Sequence, residues 1–233
     1  MKTITSHHNP RLKELLTLQR RRTRERSGRF AAEGEDLLAA ADAAGWPALS
    51  RYCAAGSGLG GVEVEPEALA AVSTLGSGTR ALAVYEQRWA APAGPLCVYL
   101  HGIRDPGNVG TILRCGQAFG ASSVAMGPGC ADPYGPKAVR ASMGAVFAVP
   151  LAHATVGELP GERIALVPRG GEPLRGPVSG EASVLVGAER EGLPDEVVAG
   201  CERVAHIPIA GESLNAAIAA AVGLYELTRM AAP

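Results

Sequence analysis

The sequence predicts an α/β protein in which a parallel-sheet domain follows a smaller α/β domain, and three observations carry that prediction. From Leu96 onward, short continuous apolar runs alternate with glycine-rich loops and helical stretches. Such runs are too short for helices and do not alternate, which fits parallel strands covered on both faces. Upstream, amphipathic helical segments mix with short apolar strands. Between the two regions, "RWAAPAGP" (Arg88 to Pro95) is small, proline-rich and aperiodic, as a linker is. The expected organisation is residues 1–90, a linker at 91–95, and a domain over 96–233.

In order along the chain, Leu12, Leu15, Leu16 and Leu18 predict an amphipathic helix after "SHHNP", with Ser6 or Asn9 able to cap it ahead of Pro10. A second helix, "GEDLLAAADAAG", stops at Gly45. Strands are expected around Arg51–Cys53, Val62–Val64 and Ala81–Tyr85. In the second region the strand candidates are "LCVYLHGI", "SSVAMG", "VFAVPL", "RIALVP", "SVLVGAE" and "RVAHIPI". Ile112, Cys115 and Phe119 have helical spacing up to Gly120, and Cys115 reads as core. The alanine-rich "SLNAAIAAAVGLYELTR" reads as a final helix that packs closely on a sheet or a second subunit.

Composition narrows the function classes. The chain has 233 residues, 47% hydrophobic and 19% charged, enough for a real core. Its start lacks an apolar stretch of signal-peptide length, and no run approaches the roughly 20 apolar residues of a membrane span. A cytoplasmic location is therefore expected. Five scattered cysteines without CxxC spacing argue against structural zinc or a disulfide framework. His7, His8, His101, His153 and His206 have no metal spacing, so no metal is expected. The net charge of −1 conceals a +7 head in residues 1–30 on a body of −8, which suggests a polyanionic partner.

The stretch "HGIRDPGNVGTILRCGQAFG" has the strand, turn and helix form of a nucleotide loop. Its glycines, Gly102, Gly107 and Gly110, do not make GxGxxG, and GxxxxGK[ST] is absent. A nicotinamide-dependent enzyme is thereby disfavoured. Asn108 at the helix start reads either as a cap or as a group that orients substrate, and Ser213 alone reads as an ordinary N-cap. Glu189 follows an apolar strand between Gly187 and Gly192, where a carboxylate can pair with an arginine or accept from a substrate hydroxyl. Arg190 and Glu191 read as solvated loop charges. Lys137 and Arg140 lie one helical turn apart and share a face, open to phosphate contact or to a surface or interface role. The run "RRRTRER", with Arg20, Arg21, Arg22 and Arg24 in or beside it, is open to phosphate binding or to a solvated helix face.

Taken together and in order, "NVGTILR", "VGAEREGLP" and "IPIAGESLNAAIA" resemble the three motifs of the SpoU, or TrmH-like, family of SPOUT RNA methyltransferases. The likeness extends to "ADPYGPKAVRASMGAVFAVPL" and to the head, "ITSHHNPRLKELLTLQRRRTRERSGRFAAEGEDLL", which resembles an L30e-like RNA-binding domain. The resemblance implies a deep trefoil knot in the C-terminal domain, an exception to unknotted topology, and a homodimer through that domain. It also implies S-adenosylmethionine (AdoMet) as cofactor and methyl transfer to a ribose 2′-hydroxyl of structured RNA, ribosomal RNA favoured over transfer RNA. Asn108, Arg114, Glu189, Ser213 and Asn215 would form the catalytic site. Val167, Pro168, Gly187, Ile207, Pro208 and Leu214 would hold AdoMet, with Ile209 beside them. Arg20, Arg21, Arg22, Arg24, Lys137 and Arg140 would hold RNA. The sequence departs from the family pattern at "PRGGEP", which lacks the usual hydroxyl residue, and at "SLNAAIA". A non-catalytic RNA-binding dimer that keeps the fold is the alternative.

Overall fold

The computed structural model describes residues 3–75 and 78–229; Lys2, counted in the basic head, lies outside them. The described elements run α1 (Pro10–Leu18), α2 (Arg21–Ser27), β1 (Arg29–Glu33), α3 (Glu35–Ala43), β2 (Ser50–Ala54), β3 (Val62–Val64), α4 (Pro66–Ala70) and β4 (Ala81–Glu86). Then follow β5 (Leu96–Leu100), α5 (Pro106–Ala118), β6 (Ser123–Met126), α6 (Pro136–Ala141), α7 (Ala145–Ala148) and β7 (Leu151–His153). Last come β8 (Glu162–Val167), β9 (Glu172–Pro173), β10 (Ala182–Val186), α8 (Asp195–Ala199), β11 (Arg203–His206) and α9 (Ala216–Thr228). The chain divides into two compact units. One holds the described residues up to Gln87 together with Asp132–Ala148; the other holds Arg88–Ala131 and the described residues from Val149.

In the first unit the strands order as β1-β4-β2-β3, antiparallel except for the β2–β3 pair. β1 escapes the sequence reading because "RFAAE" carries a charge at each end and alternates for only five residues. One sheet face, through Tyr52, Val64, Leu82 and Val84, packs on Leu12, Leu15 and Leu18 of α1 and Leu69 of α4. Side chains alternate along a strand, so Phe30 and its register partner Tyr85 face the other way. There their rings pack with Trp46, Tyr134 and Phe147 at centroid separations of 4.6 to 6.0 Å. Trp46 Nε1 donates to the Phe147 carbonyl at 2.9 Å. The segment Asp132–Ala148 thus supplies the cover for this face.

Part of that segment departs from expectation. "VFAVPL" was expected as a strand, but Val146 and Phe147 lie in α7 and the strand begins only at Leu151. Pro150 has no N–H to give a ladder, so the strand starts beyond it.

The second unit is built on a seven-stranded parallel sheet, β7-β6-β5-β10-β8-β11-β9. β5, β6 and β10 are buried along their whole length, as the continuous apolar runs predicted. β10 enters between β5 and β8, and β11 between β8 and β9, so both late strands slot between strands that precede them. The stretch from Arg88 to Pro95 belongs to this unit: Ala90 N donates to the Leu151 carbonyl at 2.7 Å and Ala93 N to Ser123 Oγ at 2.9 Å. Among the described residues no helix is long and apolar enough to cross a membrane.

Candidate functional site

Three loops leave the carboxyl ends of neighbouring strands β8, β10 and β11, where open parallel sheets place their ligands. They enclose a pocket of about 510 Å³. Its apolar lining includes Leu166, Val198, Ile207 and Leu214, and Val167, Pro168 and Gly187 also line it. Pro208 does not, although the sequence reading placed it there. Arg169, Gly170 and Gly171 join the lining; no periodicity marked them, but their place directly after β8 was a usable signal. His206 Nδ1 lies 2.9 Å from the Gly170 carbonyl and ties this loop to the end of β11.

Gly187 is required by close approach. A Cβ there would sit 2.3 Å from Gly192 C and 2.4 Å from Leu193 N. The loop doubles back on itself through the Ala188–Gly192 bridge, with Gly192 at φ +70°.

At the pocket's edge three polar side chains converge, from the first turn of α5, the loop after β10 and the N-cap of α9. Asn108 Nδ2 donates to Glu189 Oε1. Asn215 Nδ2 donates to the same oxygen at 2.9 Å and reaches Asn108 Oδ1 at 3.3 Å. Asn215 Oδ1 accepts from Ala217 N at 2.9 Å and Ile218 N at 3.3 Å, which makes Asn215 the N-cap of α9. Ser213 is therefore not the cap; it lines the pocket two residues earlier. Asn108 is not a cap either. That role belongs to Asp105, whose Oδ1 accepts from Asn108 N at 3.0 Å ahead of Pro106 at N1. The Asp-Pro pair was a legible signal for it.

A second recess of about 250 Å³ joins Asn108 and Glu189 with Arg104 and Asp105. Arg104 and Glu191 approach to 3.7 Å with both side chains largely in solvent, a weak pair. Arg114, two turns along α5, is exposed and makes no hydrogen bond or ion pair among the described residues. Six residues separate it from Asn108, about 120° around the helix, so it stands beside the amide cluster and outside it. Neighbouring Cys115 is half-buried, and burial pushes its thiol up while Arg114 opposes the shift.

The expected RNA-facing residues all lie in the first unit and divide into two groups. Arg20, Arg21, Arg22, Lys137 and Arg140 are exposed, Arg21 pairing with Glu25 at 2.8 Å. Arg24 corrects the sequence reading: its side chain is 4% exposed and its guanidinium meets Asp132 Oδ2 at 2.7 Å. It turns inward because the carbonyls of Leu18 and Gln19 also accept from it, at 2.7 and 2.9 Å. Among the described residues no cluster of His, Cys, Asp and Glu is arranged to hold a metal ion.

Residues 95–225 match the SpoU rRNA Methylase family. The chain belongs to that family. The head matches separately: residues 9–87 fit the MRM3-like substrate binding domain. Among relatives of this SpoU chain, the uncharacterized tRNA/rRNA methyltransferase slr1673 of Synechocystis sp. is 31% identical over 97% of this chain and 93% of its own. The 23S rRNA (guanosine(2553)-2′-O)-methyltransferase RlmP of Bacillus subtilis is 27% identical over 97% of this chain and 99% of its own. The crystal structure of AdoMet-bound rRNA methyltransferase from Sinorhizobium meliloti superposes with a TM-score of 0.88 at 30% identity, covering 98% of this chain and 97% of that one. The family named by the three ordered motifs is thus the family found, and the mixed α/β fold with a parallel sheet is the fold of this solved relative.

Proposed function

We propose that this SpoU protein transfers a methyl group from AdoMet to a ribose 2′-hydroxyl of structured RNA, ribosomal RNA being favoured over transfer RNA. The observation that carries the reading is the convergence of Asn108, Glu189 and Asn215, from three separate parts of the chain, at the edge of the strand-end pocket. The pocket suits the cofactor: about 510 Å³ falls in the range of small-molecule sites. Ile207 and Leu214 offer apolar faces for an adenine ring, and the backbone of Gly170, Gly171 and Gly187 offers polar edges. The missing hydroxyl in "PRGGEP" leaves backbone and Arg169 to make the polar contacts there. Bound in it, AdoMet supplies an already activated methyl group on a sulfonium centre.

The chain's own task is positioning. Arg114, exposed and without a hydrogen bond or ion pair among the described residues, grips the phosphate beside the target ribose with its planar guanidinium and fixes the 2′-hydroxyl. Arginine stays protonated, so the hydroxyl proton passes to a phosphate oxygen and not to Arg114. Asn108 and Asn215 hold Glu189 Oε1, which leaves the rest of that carboxylate to accept from the substrate. Ser213, two residues before Asn215, offers its hydroxyl to the pocket it lines.

The domain assignment belongs to the same reading. The head recruits RNA, and the unit carrying the pocket does the chemistry. Support for a knot is the entry of β10 and β11 between earlier strands. Support for a homodimer is an apolar stripe on α9, where Ile218, Val222 and Tyr225 are 53%, 38% and 55% exposed.

Incubation of the protein with ribosomal RNA and methyl-labelled AdoMet, followed by digestion to nucleosides, tests the function. Label on 2′-O-methyl nucleosides is expected; label on bases alone would overturn it. Calorimetry with AdoMet separates it from the non-catalytic dimer, which binds none.

A further inference from the structure

Arg24 and Asp132 are 108 residues apart in sequence and both nearly buried. The contact is two-pronged: Arg24 Nε and Nη2 both reach Asp132 Oδ2 at 2.7 Å. Asp132 Oδ1 accepts from Tyr134 N at 2.8 Å, setting the turn that leads into α6. Behind it, Gly135 lies so near that a Cβ there would come within 3.3 Å of Arg24 Nη2. The same pair therefore fixes the end of α1, the path of α2 and the entry of α6. Leu18 and Gln19, whose carbonyls Arg24 holds, share one cleft with Pro136, Val139 and Arg140. Arg140 of α6 lines this cleft with Gln19, and Arg20, the first cation of the basic run, follows Gln19 directly in the chain.

We propose that the Arg24–Asp132 pair is a clasp that assembles one phosphate-binding surface from two distant segments, Arg20 and Arg22 from the head and Lys137 and Arg140 from α6. The occupant is the backbone of an RNA, chosen by charge complementarity: the surface is cationic on a chain whose remainder is acidic. This rests on the reading of the substrate as RNA. Arg24 is then a positioning residue. A buried ion pair is weak evidence for stability alone and is best understood where it specifies an arrangement.

The test measures binding of protein-free ribosomal RNA across about 50 to 200 mM salt, without AdoMet, so that it does not depend on turnover. Lys137→Ala/Arg140→Ala and Arg20→Ala/Arg22→Ala should each lower the salt slope by roughly 1.5, two phosphate contacts' worth, and weaken binding about tenfold. In an Asp132→Asn background, the Lys137→Ala/Arg140→Ala change should cost less than about twofold, because the clasp that presents these cations is already gone. Asp132→Glu should restore the full effect, and AdoMet affinity should be unchanged throughout. If Asp132→Asn does not fold, Arg24→Lys, which keeps the charge but loses the fork, serves in the same cycle. Equal costs with and without the clasp overturn its role, and unchanged salt slopes overturn the surface. A protein that passes this test but methylates no ribose instead refutes the proposed reaction and leaves the surface standing.

Discussion

Asn215 serves Glu189 and helix α9 at once: its Nδ2 donates to Glu189 Oε1 at 2.9 Å while its Oδ1 caps Ala217 and Ile218. The two duties separate by mutation. Asp caps as well as Asn does, so Asn215→Asp should leave the melting temperature nearly unchanged. It nonetheless turns a donor toward Glu189 into a second carboxylate, and turnover should fall by about 100-fold or more. Asn215→Ala should also lose roughly 1 kcal/mol of stability with the cap. Thermal melts beside methylation assays check both; equal activity for wild type and Asn215→Asp would remove Glu189's orientation from the mechanism.

Among the described residues Arg114 has no hydrogen bond or ion pair to lose. Arg114→Ala should change stability by no more than about 0.5 kcal/mol, as for an ordinary surface substitution. AdoMet affinity by calorimetry should hold, and turnover should vanish. A weakened cofactor isotherm would place Arg114 at the cofactor and not at the RNA.

How far the sequence was legible depends on how local each signal is. The buried strands β5, β6 and β10 were readable because their apolar runs are continuous. β1 was not, since its five residues show a burial pattern only once Tyr85 and Val84 lie opposite. Asn108, Glu189 and Asn215 were singled out one motif at a time, but their meeting, across 81 and 26 positions, is a property of the strand order. Capping went astray because Ser213 and Asn108 are good caps in isolation while Asp105 and Asn215 have the geometry. Arg24 was misread for the same reason: a basic run does not announce which member finds an aspartate 108 residues away.

Gly187 tests whether the strand-end pocket is the cofactor seat. A methyl group at this position runs into backbone at Gly192 and Leu193, not into a side chain that can swing away. Gly187→Ala should therefore displace the loop carrying Glu189 and weaken AdoMet binding by about tenfold or more, with the cost of overpacking, roughly 1–3 kcal/mol, in stability. Undiminished affinity would move the cofactor elsewhere.

The apolar stripe on α9 gives a prediction about assembly. Ile218 and Tyr225 are more than half exposed, and Phe119, the C-cap of α5, packs edge-on against Tyr225 at 6.2 Å. If the stripe is the proposed dimer face, Ile218→Glu places a charge in it, where burial without a partner is costly. Sedimentation should find dimer for the wild type and monomer for the variant. A wild-type monomer at micromolar concentration would dismiss the stripe as the dimer face.

Glu33 should make the head sensitive to acid. Burial alone would raise its pKa, but hydrogen bonds from Ser73, Thr79 and Thr74 outweigh that and hold the carboxyl below its ordinary 4.5. Thr74 donates through both N, at 2.9 Å, and Oγ1, at 2.7 Å. A group depressed on folding contributes fully above its unfolded pKa and loses that contribution as pH falls through the folded value. Glu33→Gln should therefore cost about 1–2 kcal/mol at neutral pH, the low part of the range for hydrogen bonds to a charged group because the site is partly wet. The gap between variant and wild type should close as the pH drops below 4.5. Denaturant unfolding at pH 7 and at successively lower pH reads this directly, and a gap that stays constant would assign the loss to packing and not to the carboxylate's charge.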